Sequence, residues 1–189
     1  MQGSLFEFEP LPVADDKLFF ALVPDADLTT RIVASAEVIR AEYGVHSRIR
    51  RDHFHLTLNA LEPQAGVQAE LLDRVRQAVA TIHFSAFEIR FDRAMSFVST
   101  GEKAPLVLAS SQAPAALTTL QQELAKALLL QRLPLSKQPF SPHLTLLYDP
   151  IRISTVDIEP ISWSVAELVL IHGRTGELYR ILERRSAAA

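Results

Sequence analysis

The chain has 189 residues, 48% of them hydrophobic, and it contains no cysteine. A chain of this length can bury a sizeable core without disulfides or metals, and the lack of cysteine excludes a disulfide framework, a thiolate metal site and a cysteine nucleophile. The 19 basic and 22 acidic side chains give a net charge of -3, which argues against broad binding to a nucleic-acid duplex. Any nucleic-acid substrate is therefore expected to be short or held locally.

The longest apolar run, residues 18–23, is far shorter than the roughly 20 residues that a membrane helix needs. Near Met1 there is no basic start followed by an apolar signal segment. We therefore expect a cytoplasmic protein that does not associate with membranes.

Three segments repeat apolar residues at helical spacing. Their buried faces are predicted to be Leu28, Ile32, Ala36 and Ile39; Val67, Leu71, Val75, Ala78 and Ile82; and Leu117, Leu120, Leu124 and Leu128. Asp25 or Asp27 is predicted to cap the first helix, which ends near Gly44, and the third helix stops before Pro134.

Short strand-like runs lie among these helices. The predicted strands are residues 17–23, 54–58, 87–91, 106–109, 144–148, 165–171 and 178–182. Residues 173–176, Gly-Arg-Thr-Gly, form a predicted hairpin turn between the last two strands. Short strands mixed with helices and closed by a hairpin favour an α+β fold with antiparallel sheets flanked by helices.

The tetrapeptide His-Leu-Thr-Leu occurs twice, beginning at His55 and at His143. Residues i and i+2 of a strand point to the same face, so His55 and Thr57 project together, as do His143 and Thr145. The leucines of each motif face the opposite way, into a core. Two such strands, side by side or facing across a cleft, bring two imidazoles and two hydroxyls to one point.

This combination of side chains suits the cleavage of a phosphodiester. One group must activate the incoming oxygen and another must protonate the departing one, and imidazole does either near neutral pH. Threonine hydroxyls donate hydrogen bonds to the non-bridging oxygens, where negative charge must be stabilised. The scheme requires no metal ion and no other cofactor.

The sequence resembles the 2′-5′ RNA ligase and RNA 2′,3′-cyclic phosphodiesterase family of the two-histidine phosphoesterase superfamily. The hallmark of that family is a His-x-Thr-x motif repeated in two lobes. Residues 18–22, Leu-Phe-Phe-Ala-Leu, resemble its first strand, and residues 139–143, Pro-Phe-Ser-Pro-His, resemble the approach to its second motif. The resemblance implies a two-lobed, pseudo-symmetric domain over residues 17–185 with the active site in a cleft between the lobes. Residues 1–16 show no clear period and residues 186–189 offer nothing to pack, so we expect a loosely ordered N-terminal segment and a C-terminal tail.

Carried over to this chain, the resemblance implies that His55 protonates the leaving 3′ oxygen and that His143 activates water. Thr57 and Thr145 would hold the phosphate, and the product would be a 2′-phosphate end. Pseudo-symmetry leaves the opposite assignment of the two histidines open, because only the pose of the substrate distinguishes them. The expected substrates are RNA ends or small cyclic nucleotides, and a monomer suffices because one chain carries both motifs.

Three aromatic residues are candidate substrate contacts. Tyr148 follows the second motif where the family has a basic residue, and its ring could stack on a base or its hydroxyl could bind phosphate. Phe140 and Phe20 could stack on a base, although phenylalanines in or beside strands usually belong to the core. The basic cluster at residues 48–51 either steers a phosphate or forms a solvated face.

The two motifs are also compatible with other functions. The same cleft would serve a non-catalytic module that binds a nucleotide or an RNA end. Within the enzyme class, the reverse reaction would join a 2′,3′-cyclic end to a 5′-hydroxyl end through a 2′-5′ link. A zinc site formed by His53, His55 and His143 is disfavoured, because a threonine two residues after each motif histidine has no purpose in it.

Overall fold

The computed structural model describes residues 15–188, in which three α-helices are interspersed among eight strands. The helices are α1 (Ala26–Tyr43), α2 (Ala69–Ala80) and α3 (Ala115–Leu130), with a short 3₁₀ turn at Arg51–His53. The strands are β1 (Lys17–Leu22), β2 (Leu56–Ala60), β3 (Phe87–Ser96), β4 (Ala104–Ala109), β5 (His143–Asp149), β6 (Val156–Val165), β7 (Glu167–Gly173) and β8 (Arg180–Ser186). Among the residues described, no helix is long and apolar enough to cross a membrane.

The strands form one eight-stranded sheet in the order β6-β3-β4-β5-β2-β1-β7-β8, with every neighbouring pair antiparallel. Its two halves are lobes of four strands each, β8-β7-β1-β2 and β5-β4-β3-β6. The two motif strands, β2 and β5, meet at the centre of the sheet through the pair Leu56 and Leu144. The predicted α+β fold with two pseudo-symmetric lobes is therefore confirmed.

The helices lie on one face of the sheet, and the main core fills the space between them. The predicted inner faces of all three helices are buried there with alternate strand residues such as Leu18 and Phe20, except that Val67 is only partly buried and precedes α2. The Asp25 carboxylate accepts a hydrogen bond of 2.8 Å from the Leu28 amide and caps α1. The helix ends at Gly44, whose φ of 66° is the left-handed conformation that glycine adopts without strain.

The opposite face of the sheet is open and carries a second, smaller apolar cluster. Phe19, Ala21, Val169 and Ile171 are buried in it, and Ala60 and Tyr179 pack against it. Because successive strand residues point to opposite faces, Phe19 lies on the open face while Phe20 lies in the main core.

Each motif strand contains one extra residue directly after its threonine. In β2, Thr57 pairs with Ala21 and Asn59 with Phe20, so Leu58 has no partner. The corresponding bulge in β5 leaves Leu146 without a partner, because Thr145 pairs with Val107 and Leu147 with Leu106. A bulge changes which face the following residues occupy.

Strand β6 was not predicted as a separate strand, and the predicted strand 165–171 is in fact the end of β6 followed by β7. Pro160 interrupts the alternation of β6. A proline cannot donate to a neighbouring strand, but β6 lies at the edge of the sheet, where that donor is not needed.

Both predicted termini of the domain need correction. Residues 1–14 lie outside the described residues, but Asp16, assigned to the loose segment, is 5% exposed and its carboxylate accepts a hydrogen bond from the Gly66 amide. At the other end, Ser186 belongs to β8, and the amides of Ala187 and Ala188 donate to Ala166 and Phe84. Backbone pairing holds this segment, although its small side chains have little to pack.

Candidate active site

The two motifs place their polar side chains on the open face of the sheet. In each one the histidine and the threonine are partly exposed, while the leucine between them is fully buried. Leu56 and Leu144 are both 0% exposed. The buried leucines fix both strands against the core, so the orientation of the polar pairs is set by packing.

The register between the motif strands brings the two polar pairs together. Leu56 lies opposite Leu144 in an antiparallel pair. This register sets His55 opposite Thr145 and Thr57 opposite His143. Side chains opposite each other in such a pair have Cβ atoms about 4.5–5.5 Å apart, so all four groups border one small space.

Both histidines are oriented in the same way by the backbone just before them. His55 Nδ1 lies 2.7 Å from the carbonyl oxygen of His53, and His143 Nδ1 lies 2.6 Å from that of Ser141. A carbonyl oxygen only accepts, so Nδ1 carries a proton in each ring. Nε2 is therefore the nitrogen that is available to give or take a proton in the cleft.

His55 occupies an aromatic and largely apolar environment. The centroid of its ring lies 5.0 Å from that of Phe19 and 5.3 Å from that of Tyr179. Burial lowers the pKa of His55 to about 4, and the positive charges of Arg50 and His143 act in the same direction, against the hydrogen bond to His53. His55 is therefore neutral near pH 7 in the free protein.

His143 has a comparable aromatic neighbour in the other lobe. The centroid of the Phe97 ring lies 4.7 Å from that of His143. Beside the second motif, Ala109 pairs with His143 and Val107 with Thr145, so small and apolar residues continue the floor of the site into β4.

A loop that precedes the first motif adds a positive charge to the site. The Arg50 amide donates a hydrogen bond of 2.8 Å to the carbonyl oxygen of Leu146, which ties this loop to the bulge of β5. The Arg50 guanidinium lies 5.2 Å from the centroid of the Tyr148 ring, within range of a cation–π contact. The bulge at Leu146 explains why Tyr148, five residues after His143, is exposed towards this side of the sheet.

An open cavity of about 490 Å³ lies beside Phe19 and Tyr179, the two aromatic residues that contact His55, although His55 itself does not line it. Phe19, Tyr148 and Tyr179 supply aromatic walls, and Lys17, Arg50 and Arg174 supply positive charge. The hairpin between β7 and β8 forms one side of the cavity. Gly173 makes this packing possible, because a Cβ there would lie only 2.9 Å from the Tyr179 ring.

The sequence model of the 2′-5′ RNA ligase superfamily matches residues 28–177. The chain belongs to this superfamily. The matched range spans both histidine motifs and every strand except β1 and β8, which confirms the resemblance inferred from the sequence. No curated protein matches the chain.

Several solved structures have the same fold as this chain. Escherichia coli LigT complexed with 3′-AMP is 25% identical, with a TM-score of 0.72, over 93% of this chain and 99% of that one. A structure described as a phosphoesterase is 23% identical, with a TM-score of 0.76 over the same shares. TT0787 of Thermus thermophilus is 21% identical, with a TM-score of 0.69, over 90% of this chain and 97% of that one. Family and fold together support an activity of the phosphoesterase type.

Phe20 was a candidate for stacking on a base, and this prediction is wrong. Its side chain is 1% exposed and lies in the main core, on the helix side of the sheet. Phe140 is partly buried and packs against the same core. The aromatic residues that the superfamily fold brings to the motif histidines are Phe19, Phe97 and Tyr179.

The geometry gives no support to the zinc alternative. Within residues 15–188, no group of three or more histidine, aspartate or glutamate side chains could hold a metal ion. The His53 ring instead packs edge-on against Tyr179, with centroids 4.8 Å apart. His53 therefore takes part in the wall of the cavity, and its carbonyl oxygen orients His55.

Proposed function

We propose that this protein hydrolyses 2′,3′-cyclic phosphate ends of RNA or of nucleotides to 2′-phosphates without a metal ion. The observation that carries the proposal is the pairing of the two motifs across Leu56 and Leu144, which sets two oriented imidazoles and two hydroxyls around one space. Membership of the superfamily supports a phosphoesterase chemistry for that space. One chain supplies both motifs, so we infer that a monomer is active.

In the proposed reaction, water attacks the phosphorus and the bond from phosphorus to the 3′ oxygen breaks. His143 Nε2 takes the proton of the water, and His55 Nε2 gives a proton to the departing 3′ oxygen. The Thr57 and Thr145 hydroxyls donate to the non-bridging oxygens, where charge accumulates. The products are a 2′-phosphate and a free 3′-hydroxyl, and solvent returns both histidines to their starting protonation.

The low pKa of His55 bears on its role as the acid. A pKa of about 4 leaves His55 neutral in the free protein, so the acid must gain its proton when the substrate binds. The anionic phosphodiester provides the cause, because a negative charge within about 4–6 Å raises the pKa of an imidazole. Binding of the substrate thus favours protonation of His55, which then acts as the acid.

The same groups also suit ligation. A 5′-hydroxyl takes the place of water: His143 Nε2 takes its proton, His55 Nε2 gives a proton to the departing 3′ oxygen, and a 2′-5′ link forms. The reaction needs no nucleoside triphosphate, because the cyclic phosphate already holds the reactive bond. Ligation is therefore a side activity that the concentrations of the ends control.

The test is hydrolysis of a nucleoside 2′,3′-cyclic monophosphate in excess chelator, with the isomer of the product identified by chromatography or phosphorus NMR. We expect turnover to the 2′-phosphate that chelator does not reduce. Formation of the 3′-phosphate would refute the assignment of His55 as the acid beside the 3′ oxygen. Saturable binding without turnover would instead establish a non-catalytic nucleotide-binding module.

A further inference from the structure

A buried carboxylate outside the two motifs has no part in the proposed reaction. Asp16, which precedes β1, is 5% exposed, and its Oδ1 accepts a hydrogen bond of 2.6 Å from His172 Nε2 in β7. The same oxygen lies 3.2 Å from Arg174 Nε, and Oδ2 accepts from the Gly66 amide at 2.9 Å. The hydrogen bond from His172 lowers the pKa of Asp16 and outweighs the effect of burial, so the carboxylate is ionised near pH 7.

This carboxylate holds the guanidinium of Arg174 in place. Asp16 engages Nε, which leaves the two terminal nitrogens of the guanidinium for other partners. One of them lies 3.8 Å from Glu177, whose side chain is 57% exposed, and such a surface pair is weak enough for a phosphate to replace it. Arg174 itself is 47% exposed and lines the 490 Å³ cavity. The arginine is therefore held by a buried anion while it borders an open cavity.

A second cation lies beside Arg174 in the cavity. Lys17 pairs with Gly173, the residue before Arg174, in the register of β1 and β7, and both cations line the cavity. A guanidinium whose direction is already fixed binds phosphate through two parallel hydrogen bonds and loses little conformational entropy. Arg174 and Lys17 therefore form a candidate anion site, which the proposed reaction does not use.

The candidate anion site lies on the His55 side of the reacting phosphate. In the proposed reaction His55 protonates the 3′ oxygen, so the ribose and the base lie on the lobe that holds Phe19 and Tyr179. The centroids of these rings lie 5.0 and 5.3 Å from that of His55, and both residues line the cavity. The 5′ oxygen is the other position at which a nucleoside commonly carries phosphate. A phosphate at this position would thus enter the cavity, whose volume is typical of small-molecule sites.

We propose that Asp16 is a positioning residue for Arg174, and that Arg174 binds a phosphate on the 5′ oxygen of the nucleoside that carries the cyclic phosphate. The proposal rests on the proposed function and narrows its substrate to a nucleotide with phosphate on both its 5′ and 3′ sides. A free nucleotide with a terminal 5′-phosphate and the last nucleotide of an RNA present the same group to Arg174. His172 supports the arrangement, because its hydrogen bond stabilises the charged form of the buried Asp16.

The test compares cytidine 2′,3′-cyclic monophosphate with its 5′-phosphorylated form and with the methyl ester of that 5′-phosphate, all in excess chelator. The readout is kcat and KM for each substrate, measured for the wild type, Arg174→Ala, Asp16→Asn and the double variant. Arg90→Ala is the control, because Arg90 is an exposed arginine on β3 in the other lobe. The methyl ester distinguishes a terminal phosphate from the phosphodiester of a strand.

We expect the wild type to favour the 5′-phosphorylated substrate by about tenfold in kcat/KM, the usual effect of one charge-assisted hydrogen bond. Arg174→Ala should bring this ratio close to one, and Asp16→Asn should lower it through KM for the phosphorylated substrate. The double variant should lower the ratio no further than Arg174→Ala, because Asp16 acts through Arg174. Arg90→Ala should keep the ratio of the wild type. An equal preference for the methyl ester would support the subsite for a strand, and loss of that preference would support it for a terminal phosphate.

A ratio near one in the wild type, or a ratio that Arg174→Ala leaves unchanged, would overturn the subsite while leaving the hydrolysis intact. If Asp16→Asn lowers the turnover of all substrates equally, Asp16 has only a structural role and its positioning role is refuted. No turnover by the wild type would refute the proposed function instead. Titration calorimetry with the 5′-phosphorylated nucleotide would then decide the subsite: tighter binding by the wild type than by Arg174→Ala would support it, and equal binding would overturn it.

Discussion

Leu56 lies opposite Leu144 at the junction of the two lobes, and an approximate two-fold axis between them exchanges the two histidine motifs. Each histidine consequently stands beside the threonine of the other motif. The same symmetry relates the bulges at Leu58 and Leu146. The candidate active site is thus a product of strand pairing, and no loop is needed to bring the four motif side chains together.

The pH dependence of catalysis is expected to show an unusually acidic lower limb. The proposed reaction requires one neutral imidazole, so activity should be lost at low pH when both rings are protonated. Because the pKa of His55 is about 4, kcat/KM should fall with a midpoint near pH 4. Exchanging the acid and base roles of the two histidines does not change this acidic limb, because in both cases the active form carries one proton on the pair. A midpoint near the ordinary histidine value of about 6.5 would contradict the buried environment of His55.

The stability of the protein is expected to fall between about pH 6.5 and pH 4 because of His55. Its folded pKa of about 4 lies below the unfolded value of about 6.5, so the unfolded chain binds more protons in this window. The loss should approach about 3 kcal/mol in the free energy of unfolding, measured by urea denaturation at each pH. His55→Gln should remove most of this slope, whereas His83→Gln, at an exposed position, should keep it. An unchanged slope in His55→Gln would refute this origin.

Gly173→Ala is expected to disturb the aromatic wall of the site. The added Cβ would lie 2.9 Å from the Tyr179 ring, so the ring or the strand must move. Such overpacking typically costs about 1–3 kcal/mol, and thermal unfolding will measure it. Gly101→Ala is the matched control, because its Cβ would meet no atom closer than 3.6 Å. Equal melting temperatures for the two variants would argue against close packing of Tyr179.

Asp149→Asn is expected to loosen the loop that carries Arg50. The substitution keeps the shape of the side chain but weakens three hydrogen bonds to backbone amides, at a cost of about 2 kcal/mol. Hydrogen exchange should increase at the amides of His46 and Ser47. Asp157→Asn, at a side chain that is 92% exposed, should change neither stability nor exchange. Unaltered exchange in Asp149→Asn would show that the loop is held by other contacts.

The central part of the site could be predicted from the sequence because it depends on local rules. The alternation of a strand places a histidine and the threonine two residues later on one face, whatever the rest of the fold does. The bounds of the first helix could also be predicted from the sequence, because Asp25 and Gly44 are strong signals for the start and the end of a helix. The pairing of two motifs 88 positions apart required the resemblance, because register is a property of the folded sheet.

The surroundings of the histidines could not be predicted in the same way. Residues 18–22 are apolar on both faces, so the sequence cannot tell whether Phe19 or Phe20 faces the site. That choice follows from the pairing of Ala21 with Thr57. Tyr179 reaches His55 only because the hairpin folds back over Gly173. The turn itself could be predicted at residues 173–176, but the register of the strands and the packing of the hairpin over the sheet have no signature in the local sequence.

The most direct measurement compares hydrolysis of a 2′,3′-cyclic substrate by the wild type, His55→Ala, His143→Ala and the double variant. Each single variant should lose about 10²–10⁴ in kcat, the usual effect of removing a general acid or base. The double variant should lose little more than the worse single variant, because groups that act in one step are not additive. Full activity in either single variant would contradict the paired site.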